Sequence, residues 1–480
     1  MLLGIAFAVR PATSMWVLAL AGGVLLSAAS LSGSRERMRV ADVPLQWNWP
    51  LVALPSAYSL RTVGMLPLVV GVAIIATLAI ARRPAFKGVP PVVGFLIAAS
   101  LIPIVLSVAN LKTAVITGSL YALMTGLTVL LVQRADFPSA LRSIHAGIGV
   151  FLVLNVGLHA AGVRSSATLG RAGALESVLG GGERIVFPLV ESLALPAMLA
   201  AAYIAGTDFR QSAGMSVRLW RYLSIFCASY VLIGAGTRTA VVIAAVLFIV
   251  LRASPRLVRP LAMVAVVVSL IVPWIYEPIS RWLVSPAYSL VVGWFPHLAR
   301  SGESTSDLNG RDYIWERAIS YRERISGSDA LFGFGPQGHR TSGASSTYDD
   351  LFGGAFADPL SVTTHNSSLQ QLYDGGWVGL TSWVLVILIA AWTYIRLWKA
   401  ECCVEDRVGL GMLLALILSS VTEVSLAPGS AQVSVWLMIL IAGFGSREAS
   451  VRLRRHSKEA ASTSIREASY LHPTSESISP

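Results

Sequence analysis

Charge is what this sequence has least of. Only 13% of its 480 residues are Asp, Glu, Lys or Arg, about half the share of an ordinary soluble domain, roughly 25%. So few charges cannot keep a chain of 54% hydrophobic residues and mean hydropathy +0.66 in water. Uncharged stretches of about 20 residues, the length that crosses a bilayer, recur instead. Cysteine is nearly absent: Cys227, Cys402 and Cys403 supply neither a disulfide framework nor a metal-binding spacing. There is no HExxH, CxxC or phosphate-loop sequence, and no internal repeat of the kind that builds inverted-repeat transporters. The 37 basic residues outnumber the 26 acidic ones but are dispersed between apolar stretches. That argues against nucleic acid as a partner and fits the cytoplasmic loops of a membrane protein.

What is present reads as an all-α integral membrane protein of about twelve transmembrane helices. The clearest apolar segments lie near 14–32, 63–81, 90–109, 114–132, 143–162, 186–206, 260–276, 376–395, 408–426 and 430–446. The run from Pro11 to Ser34 carries no charge, is longer than a signal-peptide core and reads as an uncleaved first span. Between Arg221 and Arg252 the one charge is Arg238, inside Gly234-Ala-Gly-Thr-Arg-Thr-Ala240. A single helix there would be about 45 Å long, against a bilayer core of about 30 Å. Two shorter helices meeting at the Gly/Thr-rich turn fit better and complete the twelve. The basic residues after Gly445 then place both termini in the cytoplasm, with Arg35, Arg37 and Arg39 the exception to the positive-inside pattern.

The expected organisation is transmembrane helices 1–9 over residues 1–276, a large extracytoplasmic loop over 277–375, helices 10–12 over 376–446, and a basic, then disordered tail over 447–480. The loop holds seven arginines and three histidines with many aromatics, so it is expected to be folded. Its first part, to Arg300, reads either as an interfacial amphipathic helix or as a re-entrant segment.

Three positions in this plan carry chemistry. Arg238 ends an apolar hairpin and is either a snorkelling side chain or an anion clamp whose forked guanidinium matches a diphosphate. Arg311 opens a helical stretch after the turn residues Asn309-Gly310, where backbone amides favour anions; a surface network with Asp312 and Glu316 is the alternative. His365 follows Thr364, a candidate helix cap, and is either a hydrogen-bonding residue at the mouth of the membrane domain or a general base. His297 and His339 are weaker candidates for the same role. His145 and His159 read as packing residues between helices. Glu191 and Glu423 fall within expected spans, where carboxylates often mark ion pathways. They keep a lipid-linked-oligosaccharide flippase or another polytopic transporter open as the alternative function.

The order of these segments resembles the O-antigen ligase and O-antigen polymerase superfamily. The resemblance rests on Gly236-Thr-Arg-Thr-Ala240, Gly310-Arg311 to Trp315, Gly333-Phe334-Gly335-Pro336, and His365-Asn366 with Leu369, Gly376 and Gly379. It covers about 219–396. Gly-Thr-Arg-Thr replaces the commoner Ser-Arg-Gly, and Asp374 stands where Glu is usual. The resemblance implies a GT-C-like membrane glycosyltransferase in the bacterial inner membrane, working without metal or cofactor in surface-polysaccharide assembly. Its donor would be an undecaprenyl-diphosphate-linked glycan, and its acceptor a glycan or lipid A-core hydroxyl. It further implies Arg238 and Arg311 on the diphosphate, His365 as general base, and Arg184, Asn366 and Trp315 as substrate-binding residues.

Overall fold

The computed structural model describes residues 39–40, 43–44, 48–59, 68, 71–75, 94, 123–133, 135–163, 185–190, 192–208, 215–253, 255–279, 310–352, 360, 362–398, 404–430 and 432–471. The expected spans at 14–32, 63–81 and 90–109 lie outside these but for a few residues, as do Arg184, Glu191 and the stretch 280–300. Apart from one antiparallel pair, β1 (Arg39–Val40) with β2 (Val43–Pro44), the described chain is built from helices.

Chain order gives α1 (Trp49–Ala57), α2 (Leu123–Gln133), α3 (Phe137–Ala160), α4 (Ala194–Gly206), α5 (Met215–Gly234), α6 (Arg238–Ala253) and α7 (Pro255–Ile279). After these come α8 (Arg311–Arg322), α9 (Gly327–Phe332), α10 (Gly338–Thr341), α11 (Ser367–Leu397), α12 (Val404–Ser419) and α13 (Val433–Leu471). Among the described residues three helices are long and apolar enough to cross a membrane: α3, the Leu257–Ile275 part of α7, and α11.

Local chemistry sets the boundaries. Asp136 caps α3 by accepting from the Ser139 N–H at 3.0 Å, with proline at the helix start. The stretch 221–252 does form two helices, which meet at a turn where Gly236 takes φ 61°. The segment expected to span 186–206 is helical only from Ala194. Pro188, which lacks an N–H and fixes its own φ, sits in the turn before it. α12 stops at Ser419 rather than near 426, because the Ser/Thr/Pro/Gly-rich run that follows forms two short 3-10 turns. The Ser/Glu-rich tail, expected to be disordered after Ser457, continues α13 as helix to Leu471.

The principal core joins α1–α7 and α11–α13 around Phe151, Tyr203, Trp383, Tyr394, Trp436 and Phe444. α1 lies so close to α3 that a Cβ on Gly147 would sit 2.7 Å from the Val52 carbonyl oxygen, so only glycine admits that contact. His145 stacks on Tyr203 with centroids 4.1 Å apart, a packing role within the bundle. A second, smaller core holds the segment between α7 and α11. Ile314, Trp315 and Ala318 of α8 pack with Ala344, Tyr348, Val362, Leu369 and Tyr373, against Val272 at the end of α7.

Arginines fasten the end of the bundle far from that segment. Helix C-termini leave carbonyls without partners, and guanidinium groups meet them here. Arg252 donates to the Thr207 carbonyl beyond α4, Arg259 Nε to Trp398 beyond α11 at 2.9 Å, and Arg447 to Ala135 beyond α2 at 2.8 Å. Ion pairs Arg142–Glu405, Arg407–Asp208 and Arg452–Asp406 complete the belt at 2.5, 3.1 and 3.0 Å. Consecutive helices joined by short connections alternate in direction. α5 therefore ends, α6 begins, α7 ends, α11 begins and α12 ends at the face opposite the belt.

Candidate active site

Three segments converge on that opposite face. The first is the start of α8, where Gly310 at φ 73° turns the chain into the helix and Arg311 is its first residue. The Arg311 guanidinium does not stay over its own helix. Nε donates to the Thr422 carbonyl at 3.0 Å and Nη2 to Glu423 Oε1 at 2.7 Å. The second segment, 420–426, is the connection after α12. The third is the entry to α11, fastened to that connection by four bonds. Ser367 N–H donates to the Ser420 carbonyl, Asn366 Nδ2 to Val421, Ser367 Oγ to the Glu423 carbonyl, and Leu426 N–H to Ser367 Oγ, all within 2.7–3.0 Å.

This stitching brings His365 beside Arg311. The imidazole Nδ1 lies 3.7 Å from Glu423 Oε2, and the His365 side chain keeps 28% of its surface exposed against 18% for Arg311 and for Glu423. His365 is held at φ 48°, a left-handed conformation that costs a non-glycine residue roughly 1–2 kcal/mol. Burial alone would raise the Glu423 pKa, but the His365 imidazole and the Arg311 guanidinium outweigh it and hold the carboxyl below its usual range. The carboxylate therefore stays charged beside the imidazole.

The helix cap is Asn366, not Thr364: its Oδ1 accepts from the Leu369 N–H at 2.9 Å. With its amide also on Val421, the fully buried Asn366 serves to shape the turn. Trp315, one turn along α8 from Arg311, is likewise fully buried, and its indole N–H donates to the Thr364 carbonyl at 2.9 Å. It braces the residue before His365.

The Gly333–Gly335 segment interlocks with α11. Gly376, at φ 60° and ψ −161°, interrupts that helix and so deprives the Tyr373 and Asp374 carbonyls of their usual partners. Phe334 N–H and Gly335 N–H supply the missing bonds, each at 2.9 Å. A Cβ on Gly376 would lie 2.3 Å from the Leu331 carbonyl oxygen, so glycine is required both for conformation and for space.

Arg238 begins α6 at the same face of the bundle, on the tip of a separate hairpin. Arg184 lies outside the described residues; the next residue, Ile185, donates its N–H to the Gly234 carbonyl at that hairpin's end, at 2.8 Å. The sequence offers Glu423 only as a carboxylate within an expected span. The structure puts it in the connection beyond α12, paired with Arg311. Among the described residues, no group of three or more His, Cys, Asp or Glu side chains is placed to hold a metal ion.

No curated protein matches the chain. A family model described as O-antigen ligase matches residues 223–384, a segment that contains Arg238, Arg311, Trp315, His365 and Asn366 and ends before Glu423. Helices fit to cross a bilayer together with this match identify a membrane protein of the glycosyltransferase type, at work in O-antigen or related polysaccharide assembly. Over residues 223–384, about a third of its length, the chain is similar to the O-antigen ligase family.

Proposed function

We propose that the protein transfers a glycan from an undecaprenyl-diphosphate-linked donor to a sugar hydroxyl, at the extracytoplasmic mouth of the helical bundle. The observation that carries this reading is the Arg311–Glu423–His365 constellation. Because His365 Nδ1 faces the carboxylate, Nε2 is the nitrogen left for the acceptor. Nε2 takes the hydroxyl proton as the acceptor oxygen attacks the anomeric carbon. The bond from that carbon to the diphosphate oxygen breaks, and the diphosphate leaves on its lipid with the electron pair. Glu423 stabilises the imidazolium that forms.

Arg238 and Arg311 neutralise the leaving diphosphate. Arg311 shares its charge with Glu423, and Arg238 and Arg184 add to the positive field that the diphosphate meets. The arginine belt at the opposite end supports an orientation with the site outside and the C-terminal helix inside, since basic residues gather on the cytoplasmic side. The lipid chain of the donor would lie among the spans, in a bacterial inner membrane. Since Glu423 is ion-paired in a connection rather than alone within a span, it lends no weight to a transporter.

The test is the purified protein with an undecaprenyl-diphosphate-linked repeat, with and without a lipid A-core acceptor, in EDTA throughout. Ladder formation from donor alone identifies a polymerase, and product that requires the core acceptor a ligase. Wild-type product levels from both Arg238→Ala and His365→Ala, at normal protein levels, would refute the reading.

A further inference from the structure

Behind His365 lies a buried polar cluster that the transfer chemistry does not use. Gln370, His339, Asp374 and Thr364 are all at most 3% exposed. A carboxamide has two hydrogens to give and one oxygen to accept with, and Gln370 has a partner for each. Nε2 donates to Asp374 Oδ1 at 2.7 Å and lies 2.8 Å from His339 Nδ1, while Oε1 accepts from the Thr364 hydroxyl at 3.3 Å. With Asp374 ionised, turning the amide over would set its oxygen against a carboxylate oxygen, which favours the orientation seen. Asp374 Oδ1 is itself anchored by the Gly338 N–H at 2.7 Å. Residues 370 and 374, one turn apart on α11, thus grip the consecutive residues 338 and 339 of α10.

The other end of this chain of bonds reaches the turn that carries His365. The Thr364 hydroxyl has one hydrogen and shares it between Gln370 Oε1 and the Asn366 carbonyl, at 3.3 and 3.1 Å; that carbonyl also receives the Gln370 N–H at 2.9 Å. The residue before His365 is therefore held twice, through its carbonyl by Trp315 and through its hydroxyl by the Gln370 amide. His365 between them takes a left-handed backbone that a free chain seldom adopts. We propose that Gln370 is a positioning residue for His365: by linking the His339–Asp374 anchor to Thr364, its amide fixes the left-handed turn that aims the imidazole at Glu423. The inference rests on His365 being the general base.

Gln370→Met keeps the length of the side chain and loses its hydrogen bonds; Thr364→Val keeps the shape and loses the hydroxyl. With the undecaprenyl-diphosphate-linked repeat as donor, each variant of the full chain should lose on the order of 10- to 100-fold in kcat, the scale of a misaimed catalytic group. The donor KM should stay within about twofold. Thr364→Ser should restore most of the rate, and the double variant should be no slower than the slower single one, because both act through one link. Wild-type kcat in either single variant, multiplicative losses in the double, or Thr364→Ser as slow as Thr364→Val would each overturn the inference. Should Gln370→Met fail to fold, the Thr364→Val and Thr364→Ser pair decides by the same criteria. His365→Ala is measured alongside. If it is active, the base reading fails and this inference with it; if it is inactive while Gln370→Met runs at full rate, only the positioning role is lost.

Discussion

Replacing Glu423 by glutamine removes a charge and almost nothing else, and its effect can be sized from the site. The amide oxygen that Glu423→Gln introduces can still accept from Arg311 Nη2, which in the native protein stands 2.7 Å from the carboxylate. What is lost is the attraction between a carboxylate and the imidazolium that forms 3.7 Å away as the acceptor is deprotonated. That attraction is about 1 kcal/mol at the dielectric of water and about 4 kcal/mol at the effective value of 20 typical near a protein surface. With both side chains mostly buried, the true figure lies between these. Kinetically, kcat should fall between about fivefold and about a thousandfold. The donor KM should hold or fall, since Arg311 loses the Glu423 counter-charge and meets the diphosphate with more of its own. Initial rates of glycan transfer by purified protein in bilayers, over a range of donor concentration, separate the two quantities. A Glu423→Gln variant with wild-type kcat would show that no imidazolium forms beside residue 423, and the base reading of His365 would go with it.

Two further outcomes bear on the loop. Burial, with help from the charges of His365 and Arg340, pushes His339 down to about 4. Between that value and the unfolded one near 6.5, only the unfolded chain takes the proton. The stability due to a neutral His339, up to about 3 kcal/mol, is therefore complete above about pH 6.5 and lost as pH falls toward 4. Relative to His339→Asn, which has no imidazole to protonate, the wild-type melting temperature in detergent should fall across that window; equal slopes would refute the assignment. Gly376→Ala should cost more than about 4 kcal/mol, since it combines a left-handed backbone with a Cβ 2.3 Å from a carbonyl oxygen. Monodisperse, thermally stable protein from that variant would contradict the interlock of Gly333–Gly335 with α11.

Much of the site could be read from residue order, because its parts carry their own local signals. Glycine and threonine mark the turn at Arg238, Asn309-Gly310 announce the helix that Arg311 begins, and His365-Asn366 stand before an amphipathic stretch. The functions of Trp315 and Asn366 were harder to read. An indole or an amide beside charged residues has the same letter whether it meets a ligand or a backbone carbonyl, and both are buried on backbone. Glu423 was hidden for a different reason. Val421, Val424 and Leu426 keep the local hydropathy high through the connection after α12, so an apolar count continues the span past Ser419, where the helix ends. The mutual placement of α8, α11 and that connection depends on bonds between residues more than fifty positions apart, which no local pattern encodes.

The break at Gly376 has a mechanical consequence. Residues 377–397 of α11, at 1.5 Å per residue, make a rod of about 31 Å, the thickness of the hydrocarbon layer. The nine residues before the glycine form a separate stub, pinned to the Gly333–Gly335 segment and to the Glu423 connection. Helices answer changes in bilayer thickness by tilting. A continuous helix would carry such a tilt straight into the imidazole. Here the break at Gly376 frees the direction of the stub from the axis of the rod: the stub is aimed by its bonds to the Gly333–Gly335 segment and to the Glu423 connection.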